Sequence, residues 1–146
     1  MKTEELIAKA EISINAPVKK VWDALINPEK IKQYMFGSTV ISDFKEGSEI
    51  IFKGEWEGKD FEEKGVILSL QPEKILKYNT FNAQSGKPDT EENYHTITIE
   101  LSEEGAKVLV SLSQDNNESE KMLEHSEKNW QMMLKDLKKV VEEGKA

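Results

Sequence analysis

The stretch from Asn117 to Ala146 constrains this chain more than any other. Apolar residues fall at Met122, Leu123, Trp130, Met133, Leu134, Leu137, Val140 and Val141. Of these, Leu123, Trp130, Leu134, Leu137 and Val141 keep to one face at helical spacing. Asn117 followed by Glu120 reads as a capping pair, its side-chain oxygen accepting from orphan helix N–H groups. Gly144 reads as the stop. A helix from about Glu118 to Glu143 is roughly 39 Å long at 1.5 Å per residue, which spans a small domain. Its apolar stripe needs a broad partner surface, and nearly everything before it reads as strand.

That partner surface is legible in order along the chain. Ile12 and Ile14 mark one side of a first strand within Leu6 to Ile14. Pro17 suits a first helical position, having no N–H to leave unpaired, and Val18, Val21, Trp22 and Leu25 follow at helical spacing. Asn27 can cap and Pro28 can start a second short helix carrying Ile31, Tyr34 and Met35. From Ser38 to Gln114 strands alternate with turn residues. Ile50, Phe52 and Trp56 share one face of a strand over Ser48–Trp56. Gly65 is a candidate bulge within Phe61–Leu70, which would shift the face each residue takes. Ile75–Phe81 is a strand, Asn82–Glu92 a polar loop long enough to be mobile, and Asn93–Leu101 turns at Glu103-Glu104-Gly105 into Lys107–Gln114. Short strands on short turns make an antiparallel meander, and with the long helix they make an α+β domain. A curved sheet does not fit flat against a straight rod, so a cavity between them is expected.

A chain of 146 residues is expected to form a single domain. Lysine plus arginine number 20 against 28 aspartates plus glutamates, a net charge of −8. Such a surface repels phosphate backbones and anionic headgroups, which argues against nucleic-acid and membrane-surface partners. With no cysteine, disulfides, thiolate nucleophiles and cysteine-based metal sites are excluded. The N-terminal residues carry no long apolar run, so a cytoplasmic protein without a signal peptide is expected. Asn117-Glu118-Ser119 matches a glycosylation sequon by chance on that reading.

Four segments in order carry a resemblance. INAPVKKVWDAL at Ile14–Leu25 resembles the opening motif of the START-like (SRPBCC) superfamily. INPEKIKQYMF resembles its second segment, with Tyr34 where a tryptophan is common. GVILSLQPEKILKYNTF at Gly65–Phe81 is similar to a third, with Ser69 and Phe81 as departures. NWQMMLKDLKKVVE at Asn129–Glu142 resembles the closing motif, with Asn129 replacing a glycine and Val141 a leucine. The branch it resembles is named for homology to the activator of the heat-shock protein 90 ATPase. The resemblance implies a helix-grip fold, a curved antiparallel sheet of about seven strands gripping the C-terminal helix around a cavity. It leaves function open, because the superfamily holds lipid carriers, hormone receptors, cyclases and cochaperone domains.

Each candidate site residue has a structural reading beside the functional one. Trp22 reads as core. Trp130 lies on the long helix's stripe and needs an N–H partner if buried. Met132 and Met133 point to different sides; Met133 is the better cavity candidate, its thioether adaptable to varied ligands, and equally a core filler. Tyr34, Met35 and Phe36 lie on a segment that borders the cavity mouth in the family, as a gate or as a packed helix end. Phe52 and Trp56 would line the concave side; Tyr78 has opposite parity from Ile75 and Phe81, so its direction stays open. His95 shares parity with Ile97, Ile99 and Leu101, which points it inward, to bind a ligand, act as general base or simply end a strand. His125 reads as surface. Glu62, Glu63 and Glu91, Glu92 read as solvated pairs at turns and edges. Two histidines without a flanking carboxylate cluster make no metal site, and no cofactor is implied.

Three functions follow, in order of support. The first is binding of a small apolar or amphipathic molecule at Tyr34, Met35, Phe36, Phe52, Trp56, Tyr78, His95, Ile97, Trp130 and Met133. The second is a cochaperone-type module with a chaperone partner. The third is a cyclase or hydrolase using His95, for which the sequence supplies neither a nucleophile nor an orienting partner.

Overall fold

The two proline breaks produce the tandem helices. In the computed structural model, which describes residues 6–35, 37–56, 58–82, 86–117 and 119–143 without the side chains of Trp56, Lys59 and Glu91, β1 (Ala8–Ile14) leads into α1 (Val18–Ile26) and α2 (Pro28–Tyr34). Pro28 takes the first turn of α2, and Asn27 Oδ1 accepts from Glu29 N–H at 3.0 Å. Pro17 sits one place earlier than expected. It is the N-cap of α1 in extended conformation, and its carbonyl accepts from Lys20 and Val21.

The strands β2 (Thr39–Ser42), β3 (Glu49–Trp56), β4 (Lys59–Gln71), β5 (Ile75–Asn82), β6 (His95–Glu104) and β7 (Lys107–Gln114) follow, then α3 (Glu120–Glu142). They form one seven-stranded sheet ordered β1-β7-β6-β5-β4-β3-β2. Every pairing is antiparallel. The meander from β2 to β7 is thus closed by the first strand lying beside the last. This is the α+β helix-grip architecture: a curved sheet, two short helices and one long helix.

Alternation decides which side chains meet α3. Val108, Val110 and Leu112 of β7, Ile97 and Ile99 of β6, and Ile50 and Phe52 of β3 are buried. Met133, Leu134, Leu137 and Val141 of α3 meet them in the same core. Burying one such side chain contributes about 1.5–3 kcal/mol. Met132 is 52% exposed, on the opposite side from Met133.

Two details differ from the sequence reading. The bulge is not at Gly65: Lys64 faces Phe81 and Ile67 faces Tyr78 in one register, and the shift comes between Ile67 and Ser69. Inward parity along β4 therefore runs through Phe61, Glu63, Gly65 and Ile67, and Leu68 is left 45% exposed. Gly65 serves a close approach instead, since a Cβ there would lie 1.7 Å from the Asn79 carbonyl oxygen. Asn79 Oδ1 accepts from Val66 N–H at 2.8 Å, so a side chain takes over a ladder bond at this point.

The second difference is the start of α3. Its N-cap is Ser119, whose hydroxyl accepts from Met122 N–H at 3.2 Å. Asn117 instead donates its amide to the Leu6 and Gln114 carbonyls and accepts from Ser126 Oγ. It ties the loop to the sheet rather than capping the helix. Gly144 lies outside the described residues.

Candidate functional site

Between the sheet and the first half of α3 lies a cavity of about 330 Å³. β3 contributes Phe52, β4 Phe61 and Glu63, β5 Tyr78 and Thr80. β6 adds His95 and Ile97, and α3 closes it with Trp130. Each strand residue arrives by alternation: Tyr78 shares parity with buried Leu76 and Thr80, which settles its direction as inward. Phe52 and Tyr78 lie with ring centroids 5.8 Å apart on the apolar wall. Trp130 is fixed by its indole N–H, which donates to Gln114 Oε1 on β7.

The polar groups that line the cavity include Glu63, His95, Tyr78 and Thr80. Burial pushes the Glu63 carboxyl above the usual glutamate range, and the neighbouring His95 partly offsets this. Burial also raises the Tyr78 phenol far above its ordinary value, with the Glu63 charge adding to the effect. His95 Nδ1 lies 3.1 Å from the Asp115 carbonyl oxygen. A carbonyl can only accept, so Nδ1 donates to it. Asp115 also holds the strand start, its carboxylate accepting from Thr96 N–H at 2.7 Å.

The expected site residues divide into two groups. Met35, Phe52, Tyr78, His95, Ile97 and Trp130 line the large cavity. Tyr34 and Met133 do not; they border a separate void of about 20 Å³, with Met35, Phe52 and Tyr78 shared between the two. Met133 is 2% exposed and belongs to the core. The Tyr34 hydroxyl donates to the Ala24 carbonyl at 2.7 Å, bracing α2 against α1, and its phenol is raised by burial and then by Tyr78. Phe36 and the side chain of Trp56 lie outside the described residues. His125 is exposed on α3.

Sequence reasoning missed Glu63. Paired with Glu62 it reads as a solvated turn charge, yet it lies within β4 and faces the cavity. The signal that could have found it is the alternation Phe61, Glu63, Gly65, Ile67. Phe61, Thr80 and Gln114 were missed in the same way.

Among the described residues no helix is long and apolar enough to cross a membrane. No curated protein matches the chain. Among solved structures, ChR145 from Cytophaga hutchinsonii is 55% identical, with 98% of this chain and 97% of that one covered and a TM-score of 0.85. CalU16 from Micromonospora echinospora is 24% identical over 97% of this chain and 87% of that one, with a TM-score of 0.72. The Aha1 dimer from Colwellia psychrerythraea is 21% identical over 96% and 98%, with a TM-score of 0.74. The last two share the fold. The family model described as activator of Hsp90 ATPase homolog 1-like protein matches residues 15–142, from just after β1 to the last residue of α3. With that match and a near-full-length relative at 55% identity, the chain belongs to the family of activator of Hsp90 ATPase homolog 1-like proteins.

Proposed function

We propose that this protein binds a small amphipathic molecule in the cavity between its sheet and α3. The observation that carries the reading is a cavity of about 330 Å³ lined by aromatic side chains together with Glu63, His95, Tyr78 and Thr80. That size lies at the lower end of small-molecule sites, and the combination of apolar walls with a few convergent polar groups is what such sites use. The test is a thermal-shift and native mass-spectrometry screen against lipids and aromatic metabolites. A ligand at a hundredfold excess over its Kd stabilises by about 2.7 kcal/mol, a clear rise in Tm. No stabilisation by any member of the panel sinks the reading.

The cochaperone reading draws on family membership. It is tested by pull-down with the chaperone and by the chaperone's ATPase rate with and without this protein. A catalytic reading draws on the Glu63 carboxyl beside His95 and on the Asp115 carbonyl that holds the imidazole at Nδ1. Those features would suit a general base, and unchanged turnover of any identified substrate by His95→Ala would remove it.

A further inference from the structure

The polar groups lining the cavity are rich in acceptors. Glu63 brings a carboxyl, His95 an imidazole held at Nδ1 by the Asp115 carbonyl, and Tyr78 and Thr80 bring hydroxyl oxygens. Cationic side chains that would hold an anion are missing from the described residues lining the cavity. The sequence contains no arginine, so the planar fork that grips carboxylate or phosphate is not available. No lysine is among the described residues lining the cavity. α3 faces it with Ser126, Asn129 and Trp130, none of them charged at neutral pH. An anionic head placed here would meet Glu63 with no lysine or arginine among the described lining residues to offset it.

A cationic head meets the reverse situation. An ammonium group brings up to three donors to an acceptor-rich pocket and supplies the counter-charge that a desolvated carboxylate needs. The aromatic rings of Phe52, Phe61 and Trp130 offer large apolar faces to the body of such a molecule. The net charge of −8 adds a long-range field of the same sign preference. We propose that the cavity takes an amphipathic amine, its ammonium among Glu63, His95 and Tyr78 and its apolar body among Phe52, Phe61 and Trp130. This rests on the reading of the cavity as a ligand site.

Three probes of one carbon skeleton separate the possibilities: phenylbutylamine, phenylbutanol and phenylbutyrate, titrated by calorimetry at neutral pH into the wild-type protein and into Glu63→Gln. The amine binds wild type about tenfold or more tightly than the alcohol, the size expected of a charge-assisted contact, and the acid binds weakest. In Glu63→Gln, which keeps the side-chain shape, the amine loses its advantage over the alcohol. The wild-type ranking stands without the variant, should the variant fail to fold. An alcohol or acid that binds wild type as tightly as the amine overturns the inference while leaving the cavity a ligand site. An amine preference that survives in folded Glu63→Gln overturns it too. Binding of none of the three overturns the inference together with the reading it rests on.

Discussion

Glu63 is a residue whose chemistry the fold changes. Its carboxyl is raised by burial, with His95 opposing. A raised acid holds its proton more tightly in the folded chain than in the unfolded one. The stabilisation this gives is complete below the ordinary glutamate range and is lost as pH rises through the raised folded value. Glu63→Gln removes that linkage, so the variant melts above wild type at neutral pH, and the two converge toward a pH of about 4. Melting curves across that window check it; a constant offset at all pH values sinks it. Gly65, two residues on, is set by sterics. A Cβ 1.7 Å from the Asn79 carbonyl oxygen forces β4 and β5 apart. Gly65→Ala therefore destabilises by about 1–3 kcal/mol, the range of overpacking, read from denaturant midpoints. A wild-type midpoint means the strands part freely. Both residues were in view in the sequence, but neither role was. Alternation through Phe61 and Ile67 points Glu63 inward only once the bulge is placed after Ile67, and the closeness of Asn79 exists only in the paired strands.

At the scale of elements, α3 was the most legible and its ends the least. Helical spacing identified Leu134, Leu137 and Val141, all buried, because a long helix has one way to hide a stripe. The cap was misassigned because Asn117 and Ser119 are both good N-cap residues, and contacts with Leu6 and Gln114 far away in sequence claim Asn117. Ser119→Ala should cost about 1 kcal/mol as a lost cap. Leu134→Ala, at 0% exposure, should cost roughly 2–5 kcal/mol as a core truncation. Met133→Ala belongs in that same class, since its side chain lies in the core beside the small void. Chemical denaturation of the three variants orders them, and a Leu134→Ala variant as stable as wild type would mean that the buried face is misread.

For the whole molecule, an open sheet must protect its two edges. One edge, β2, is only four residues long. The other, β1, pairs with β7 on one side and is covered on the other by a row of α3 side chains. Glu127 accepts from Lys9 N–H at 3.0 Å, Gln131 donates to the Glu11 carbonyl at 3.0 Å, and Lys138 donates to the Ser13 carbonyl at 2.9 Å. Glu142 completes the row, accepting from Asn15 N–H at 2.7 Å. Lys9, Glu11 and Ser13 are alternate residues of β1, with backbone groups turned away from β7, and Asn15 follows the strand's end. Thus α3 does two jobs with adjacent stripes: apolar residues close the core and cavity, and polar residues occupy the sheet's free edge. The polar stripe was invisible in the sequence, where Glu127, Gln131 and Lys138 look like any solvated helix face. Replacing those three together by alanine should uncover the edge. The Lys9 amide then loses its partner and exchanges faster with solvent. Self-association by strand addition rises with protein concentration, read by light scattering against a Lys135→Ala control on an exposed position of the same helix. Wild-type exchange at Lys9 with wild-type scattering would mean that the helix merely lies beside the edge and does not guard it.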